Sequence, residues 1–223
     1  MRIRLPIALR MLINTFLPIP LSLKGRRVNV GDRVFEADVR GWVDETFNKV
    51  EWYLQLEPLA IALLEEVRRV SSPEQDVLDI CCNVGRHLNH LHERGYRSLV
   101  GFDIMEPAIR QATTVFPALK HARIELARAD VFLRNLGDDS VDLAYTNTAT
   151  VELIHPSLRI HRELFRIIRP GGGVVFLLNE TGHTYPRYWR YLFRRVGFVE
   201  ERYEKLLTSK GDSVSLITWR RPE

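Results

Sequence analysis

Apolar residues recur every three to four positions at Leu59, Leu63, Val67 and Val70, the spacing that puts them on one face of a helix. Ser71, Ser72 and Pro73 end that helix. Upstream, Asp44 is placed to cap an earlier helix whose Phe47, Val50 and Leu54 share a face. Beyond Gln75 the pattern changes. Short apolar runs over 76–81, 98–103, 123–129, 141–146 and 173–179 read as strands. Amphipathic stretches over 86–93, 107–115 and 156–168 read as helices between them. Such alternation predicts a parallel sheet covered by helices on both faces. The ending differs: a helix over 186–196 precedes two strand-like runs, "GFVEERYEKLL" and "SVSLITWRR", around the turn "SKGD". This is a hairpin signature, and it adds antiparallel strands at the end of the sheet. The fold class expected is α/β: a doubly wound, mostly parallel, seven-stranded sheet with an antiparallel terminal strand, plus N-terminal helices.

Composition narrows this picture. With 223 residues, 45% hydrophobic and 27% charged, the chain has the size and balance of one globular domain with appendages. The adjacent cysteines, Cys81 and Cys82, would make a strained bridge and have no partners at zinc spacing, so reduced thiols in a cytoplasmic compartment are expected. His87, His90 and His92 read as a solvated helix face rather than metal ligands, and no metal is expected.

Charge divides the chain further. Residues 1–31 hold Arg2, Arg4, Arg10, Lys24, Arg26 and Arg27 and no acid, leaving −2 of the total +4 for the remainder. A nucleic-acid partner is therefore disfavoured for the body. The arm is also apolar, but its longest uncharged run, Met11–Leu23, is 13 residues, short of the roughly 20 that span a bilayer. Arg10 interrupts the run and no small-residue cleavage site follows, so a secretory signal is a weak reading. An arm that packs on its own domain or covers a site, a peripheral membrane contact through residues 1–27, and a targeting segment all stay open. The division expected is an arm over 1–31, a helical cap over 32–74 and a body over 75–223.

Ligands of open parallel sheets sit beyond the carboxyl ends of the strands, so the strand tips carry the chemistry. The first strand runs into "DICCNVG", with Asp79 placed to accept from a ligand ammonium or loop amides, Gly85 able to take a positive φ, and Asn83 the best non-glycine substitute where a left-handed conformation is needed. The second ends in Asp103, 24 residues after Asp79, a position from which a carboxylate accepts both ribose hydroxyls. The third ends near Asp130, which can accept from an adenine amino group, and the Val131 amide can donate to a ring nitrogen. The fourth ends near Asn147. Three acids at consecutive strand tips form a nucleoside-like order.

Those segments resemble the class I S-adenosylmethionine-dependent methyltransferases over about residues 75–220. "VLDICCNVG" is similar to their first motif, hydrophobic-x-(D/E)-x-G-x-G-x-G, with Cys81 and Asn83 in two glycine positions. "LVGFDIMEPAIRQA" resembles the second, "ARADVFLRNLGDDSVDLAYTNTATVELI" the third and fourth, and "LFRIIRPGGGVVFLLNE" the helix, turn and fifth strand. The resemblance implies S-adenosyl-L-methionine as cofactor, held by Asp79, Cys81, Asn83, Gly85, Asp103, Ile104, Asp130, Val131 and Asn147. It implies direct methyl transfer, with Glu152 or His155 as a candidate general base and Asn179, Glu180, His183, Tyr185 and Tyr188 lining the acceptor side. "TNTAT" lacks the N/D-P-P-Y-like run of enzymes that methylate exocyclic base amines. A small-molecule, sugar or lipid-linked acceptor is the expectation. The alternatives are a non-catalytic binding or membrane-adaptor protein that keeps the fold, and an NAD(P)-dependent oxidoreductase, which "CCNVGRHL" disfavours by lacking G-x-G-x-x-G.

Overall fold

The computed structural model describes residues 49–147, 159–179 and 186–223, with the side chains of residues 179 and 186–188 outside the description. The arm over 1–31, the Asp44 cap with Phe47, and nearly the whole first helix lie outside it. Of that helix the described part is a 3-10 turn, Val50–Tyr53.

Seven strands form one sheet: β1 Val77–Ile80, β2 Leu99–Asp103, β3 Arg123–Leu126, β4 Val141–Thr146, β5 Ile168–Asn179, β6 Val199–Leu207 and β7 Ser213–Arg220. Their order is β3-β2-β1-β4-β5-β7-β6. The five strands from β3 to β5 pair in parallel, and β7 runs antiparallel to both neighbours. The hairpin therefore does not simply extend the sheet. Its second strand is inserted beside β5 and its first becomes the edge. The chain order reverses between β1 and β4, which puts the ligand-binding crevice at their carboxyl ends.

Described helices cover both faces: α1 Pro58–Val70, α2 Arg86–Glu93, α3 Glu106–Val115, α4 Ala129–Asn135, α5 Ile160–Ile167 and α6 Pro186–Val196. The strands sort their side chains with period two, as a sheet buried on both faces requires. Val174, Phe176 and Leu178 of β5 join one core layer under α4, α5 and α6. Val175 and Leu177 join the other, under α1 and α2. In the first layer aromatic rings interlock: Phe193 stacks on Trp219 at 4.3 Å, and Phe176 meets Trp219 edge-on at 5.3 Å. Pairs of this geometry add about 1 kcal/mol each beyond the area they bury.

Three expectations need correction. Strand β3 ends at Leu126, not at residue 129, and a helix the hydrophobic pattern did not announce, α4, begins at Ala129. It has only seven residues, too few for helical periodicity to emerge from the sequence. Arg169–Gly173 is not a free turn but an irregular start to β5, with the register to β4 jumping from Val141↔Ile168 to Leu143↔Gly173. A Cβ on Gly172 would lie 2.5 Å from the Asp142 carbonyl, so glycine is needed for that close approach. Finally, His87 is not on a solvated face. It is 6% exposed and faces β1.

Candidate functional site

The turn after β1 carries the most informative backbone. Cys81, Asn83 and Gly85 all have left-handed φ, at +60°, +50° and +83°. They alternate, and they are the three positions at which the sequence pattern expects glycine. The loop thus keeps the path of a glycine cradle while two of its residues are not glycine. An L-residue in this region costs roughly 1–2 kcal/mol, less for Asn, whose side chain bonds locally. Asn83 does so: its Oδ1 accepts from the Val84 N–H at 2.7 Å and its Nδ2 donates to Met105 Sδ at 3.3 Å. Gly85 is required twice over, since a Cβ there would also lie 2.6 Å from Leu119.

Asp103, at the tip of β2, holds this turn. Its Oδ2 accepts the Asn83 N–H and its Oδ1 the Met105 N–H, each at 2.8 Å. Burial, assisted by the charge of Asp79, pushes its pKa above the ordinary value, against the pull of those amide bonds. A carboxylate offers about four acceptor positions, and the Asn83, Met105 and Ile104 amides draw on three, so acceptor capacity remains for a ligand hydroxyl. Ile104 follows half-buried. Leu126, at the end of β3, and Val131, in the first turn of α4, are 51% and 45% exposed apolar surfaces beside this tip.

Under the turn lies a polar cluster that strand-tip reading missed. Asp79 of β1 is 1% exposed, and its Oδ2 has no hydrogen-bond partner. His87 Nδ1 stands 3.6 Å away. Tyr145, opposite Asp79 in the β1–β4 register, is fully buried, and its hydroxyl has the Asp79 carboxylate as its polar neighbour. Burial first, then the Asp79 charge, raises its pKa well above normal. A buried carboxylate beneath a glycine-type cradle, with only the His87 ring and the Tyr145 hydroxyl beside it, fits a ligand that brings an ammonium group. The signal in the sequence was available: Leu143 and Tyr145 share a strand face with Val77 and Asp79.

Other candidates are placed differently from expectation. Asp130 is not at a strand tip. It sits in the first turn of α4, and its carboxylate is clasped by Arg128 at 3.1 Å and Arg134 at 2.6 Å. The Val131 N–H donates to the Arg128 carbonyl at 3.2 Å, so it is engaged within the helix start. Asn147 follows β4 half-buried. Cys81 and Cys82 form no disulfide; burial drives the pKa of Cys82 far up, so it is an inert packing group. Glu152, His155, Glu180, His183 and Tyr185 lie outside the described residues. Asn179 ends β5 and Tyr188 belongs to α6, with their side chains outside the description. Among the described residues no cluster of His, Cys, Asp and Glu is suited to a metal.

The segment before α1 closes over the turn. Val50 packs with Val84, Met105 and Ala108. Arg86 donates to the Gln55 carbonyl and lies over the Tyr53 ring at 5.7 Å.

Residues 77–172 match a family model described as a methyltransferase domain. No curated protein sequence matches the chain. Among solved structures, the N-methyltransferase NodS of Bradyrhizobium japonicum WM9, in complex with S-adenosyl-L-homocysteine, superposes with a TM-score of 0.64 at 20% identity, covering 80% of this chain and 95% of that one. An S-adenosylmethionine-dependent methyltransferase of Mesorhizobium loti gives 0.63 at 19% identity, covering 75% and 100%. The geranyl diphosphate C-methyltransferase of Streptomyces coelicolor A3(2), in complex with Mg2+, geranyl diphosphate and S-adenosyl-L-homocysteine, gives 0.60 at 14%, covering 73% and 78%. At these identities the shared property is the fold.

Proposed function

We propose that this chain, whose residues 77–172 match a methyltransferase-domain model, is a class I, Rossmann-like enzyme that uses S-adenosylmethionine to methylate a small-molecule, sugar or lipid-linked acceptor. The observation that carries the reading is the run of left-handed residues at Cys81, Asn83 and Gly85, pinned to the tip of β2 by Asp103.

When bound, S-adenosylmethionine supplies an electrophilic methyl group on a sulfonium, so the protein has to bind, orient and exclude water. Asp79 offers its buried carboxylate to the cofactor's ammonium end. The open turn at 81–85 lets that end approach the backbone. Asp103 presents its remaining acceptor positions to the ribose hydroxyls, and Ile104, Leu126 and Val131 supply apolar surface for the base. Val50–Gln55 shields the turn from solvent.

On the acceptor side, Glu152 or His155 takes a proton from the attacking hydroxyl or amine, and Asn179, Glu180, His183, Tyr185 and Tyr188 shape the pocket. The apolar, basic arm favours an acceptor that is hydrophobic or presented at an anionic membrane surface, with residues 1–27 as a peripheral contact of a cytoplasmic protein. Support for small acceptors comes from one structural neighbour, a geranyl diphosphate C-methyltransferase in complex with geranyl diphosphate.

Calorimetry with S-adenosylmethionine, S-adenosylhomocysteine and NAD tests the reading. Binding of both sulfur ligands and not NAD is expected. Heat with NAD alone would sink it, and tight binding of the sulfur ligands without turnover on any acceptor panel would favour a non-catalytic binding role. Vesicle flotation of the full chain against one starting at Gly31 tests the arm; equal flotation removes the membrane contact.

A further inference from the structure

Most described arginines are matched by a carboxylate. Arg128 and Arg134 hold Asp130, Arg169 holds Asp76 and Asp142, and Arg220 holds Glu201. Where an arginine lacks a carboxylate, a carbonyl usually serves: Arg86 bonds Gln55, Arg94 bonds His90 and Arg97 bonds His92. The exceptions gather where α5 and α6 pack together. The side chains of Arg159 and Arg162 make no hydrogen bond or ion pair among the described residues, and the Arg195 side chain donates to the Tyr191 hydroxyl, at 3.0 Å. Beside them, Arg194 shares Glu200 with Arg190 at the longer distance of 3.3 Å, against 2.5 Å for Arg190.

This surplus has a receptacle. An open groove of about 600 Å³ is lined by Arg190, Tyr191, Arg194 and Arg195. On the α5 side His161 is 7% exposed, and its Nδ1 has no partner. Burial, then the charges of Arg162, Arg159 and Arg195, lowers the His161 pKa to about 4. Burial and three cations, Arg159 just before α5, Arg162 within it and Arg195 on α6, thus act on one ring in the same direction. Guanidiniums without a carboxylate partner among the described residues repel one another, and a bound dianion would relieve that repulsion with charge-assisted hydrogen bonds.

We propose that the groove on α6, through Arg194 and Arg195 and with Arg159 and Arg162 from the α5 segment packed beside that helix, binds a phosphate-bearing ligand. Planar guanidiniums match phosphate oxygens bidentately, and a dianion answers several of them at once. Tyr191, 53% exposed in the middle of the groove, adds a flat surface for the rest of the ligand. These residues are separate from the Asp79, Asn83, Gly85 and Asp103 cradle, so the site stands independently of the methyl-transfer reading. The phosphate could arrive as a soluble ester or as a lipid headgroup, and the chemistry at the arginines is the same.

The full-length chain is titrated with pyrophosphate by calorimetry, with the His161 ring followed by NMR. In a second arm it is floated with phosphatidylcholine vesicles with and without phosphatidic acid. Arg162→Gln and Arg195→Gln, both at exposed positions, are each expected to weaken binding about tenfold, the size of one charge-assisted hydrogen bond. Arg68→Gln, on the opposite layer, should leave it unchanged. Pyrophosphate binding with a shifted His161 resonance supports the site and a soluble source. Binding only to phosphatidic acid vesicles supports the site and a headgroup source. Failure of both probes, or binding that Arg68→Gln weakens as much as Arg195→Gln does, overturns the proposal.

Discussion

The Asp103 carboxylate accepts the Asn83 N–H at 2.8 Å, so the tip of β2 holds the turn that leaves β1. One side chain therefore has two duties, shaping the cradle and facing the ligand. Its backbone has a third, since the Asp103 carbonyl accepts the Ala127 N–H at 2.9 Å and fixes the exit of β3.

Asp103→Ala removes both side-chain duties. The expected result is a loss of about 1–3 kcal/mol in S-adenosylmethionine binding, measured by calorimetry. Unchanged affinity would place the cofactor elsewhere.

Replacing Cys81 by Gly relieves a left-handed β-substituted residue. The strain is about 1–2 kcal/mol, and the added freedom of the unfolded chain returns roughly 0.5–1. Urea denaturation should show a gain of about 0.5–1 kcal/mol. A loss would mean that the packing of Cys81 against the core layer outweighs its backbone strain.

Glu66 is a buried acid, 2% exposed, joining α1 to the hairpin. It accepts from Arg69 at 2.7 Å, from Arg202 at 2.6 Å and from Thr218. Burial alone would raise its pKa, but the Arg69 and Thr218 bonds and the Arg202 charge overcome this and hold it at about 2. A folded value below the unfolded one means the stabilisation is present above about pH 4.5 and is lost as pH falls toward 2. The span corresponds to about 3 kcal/mol. Glu66→Gln should lower stability at pH 7 by a similar amount and flatten the acid limb of a pH–stability curve. A variant with the wild-type acid limb would assign that limb to other carboxylates.

Arg86→Ala cuts the tie between α2 and Val50–Gln55. Loss of a carbonyl hydrogen bond and a cation–π contact costs about 1–2 kcal/mol locally. Limited proteolysis should cut faster between residues 49 and 57 in the free protein. An unchanged digestion rate would show that the Val50 contact with Val84 holds the segment alone.

The parallel core was legible because buried strands leave continuous apolar runs, and 141–146 and 86–93 appear in the structure at the expected bounds. The inserted β7 was less so: period-two alternation marks a strand but not its neighbours, which long-range pairing decides. Asp103 was readable because a strand-tip carboxylate has a positional meaning. The placement of Asp130 was less legible, since an acid near a strand end looks the same whether it tips the strand or, as here, opens a seven-residue helix beside Arg128 and Arg134. His87 and Tyr145 escaped because their burial depends on the register of β1 with β4. The left-handed φ of Cys81 was masked by its side chain, while Asn83 carried a hint through its tolerance of that region.

The seating of β7 between β5 and β6 also sets an order of events during synthesis. As the chain emerges, β6 is made first but has no neighbour to join, because the open edge of β5 is taken by a strand not yet translated. Until Ser213–Arg220 appears, β6 is an unpaired ribbon and the edge of β5 is available to any extended segment. Placement of β7 completes the sheet, brings Trp219 against Phe193 and closes Thr218 onto Glu66 in one step. Maturation of this domain therefore waits on its last strand, and a ribosome paused before it would hold a nascent chain most open to holdase chaperones.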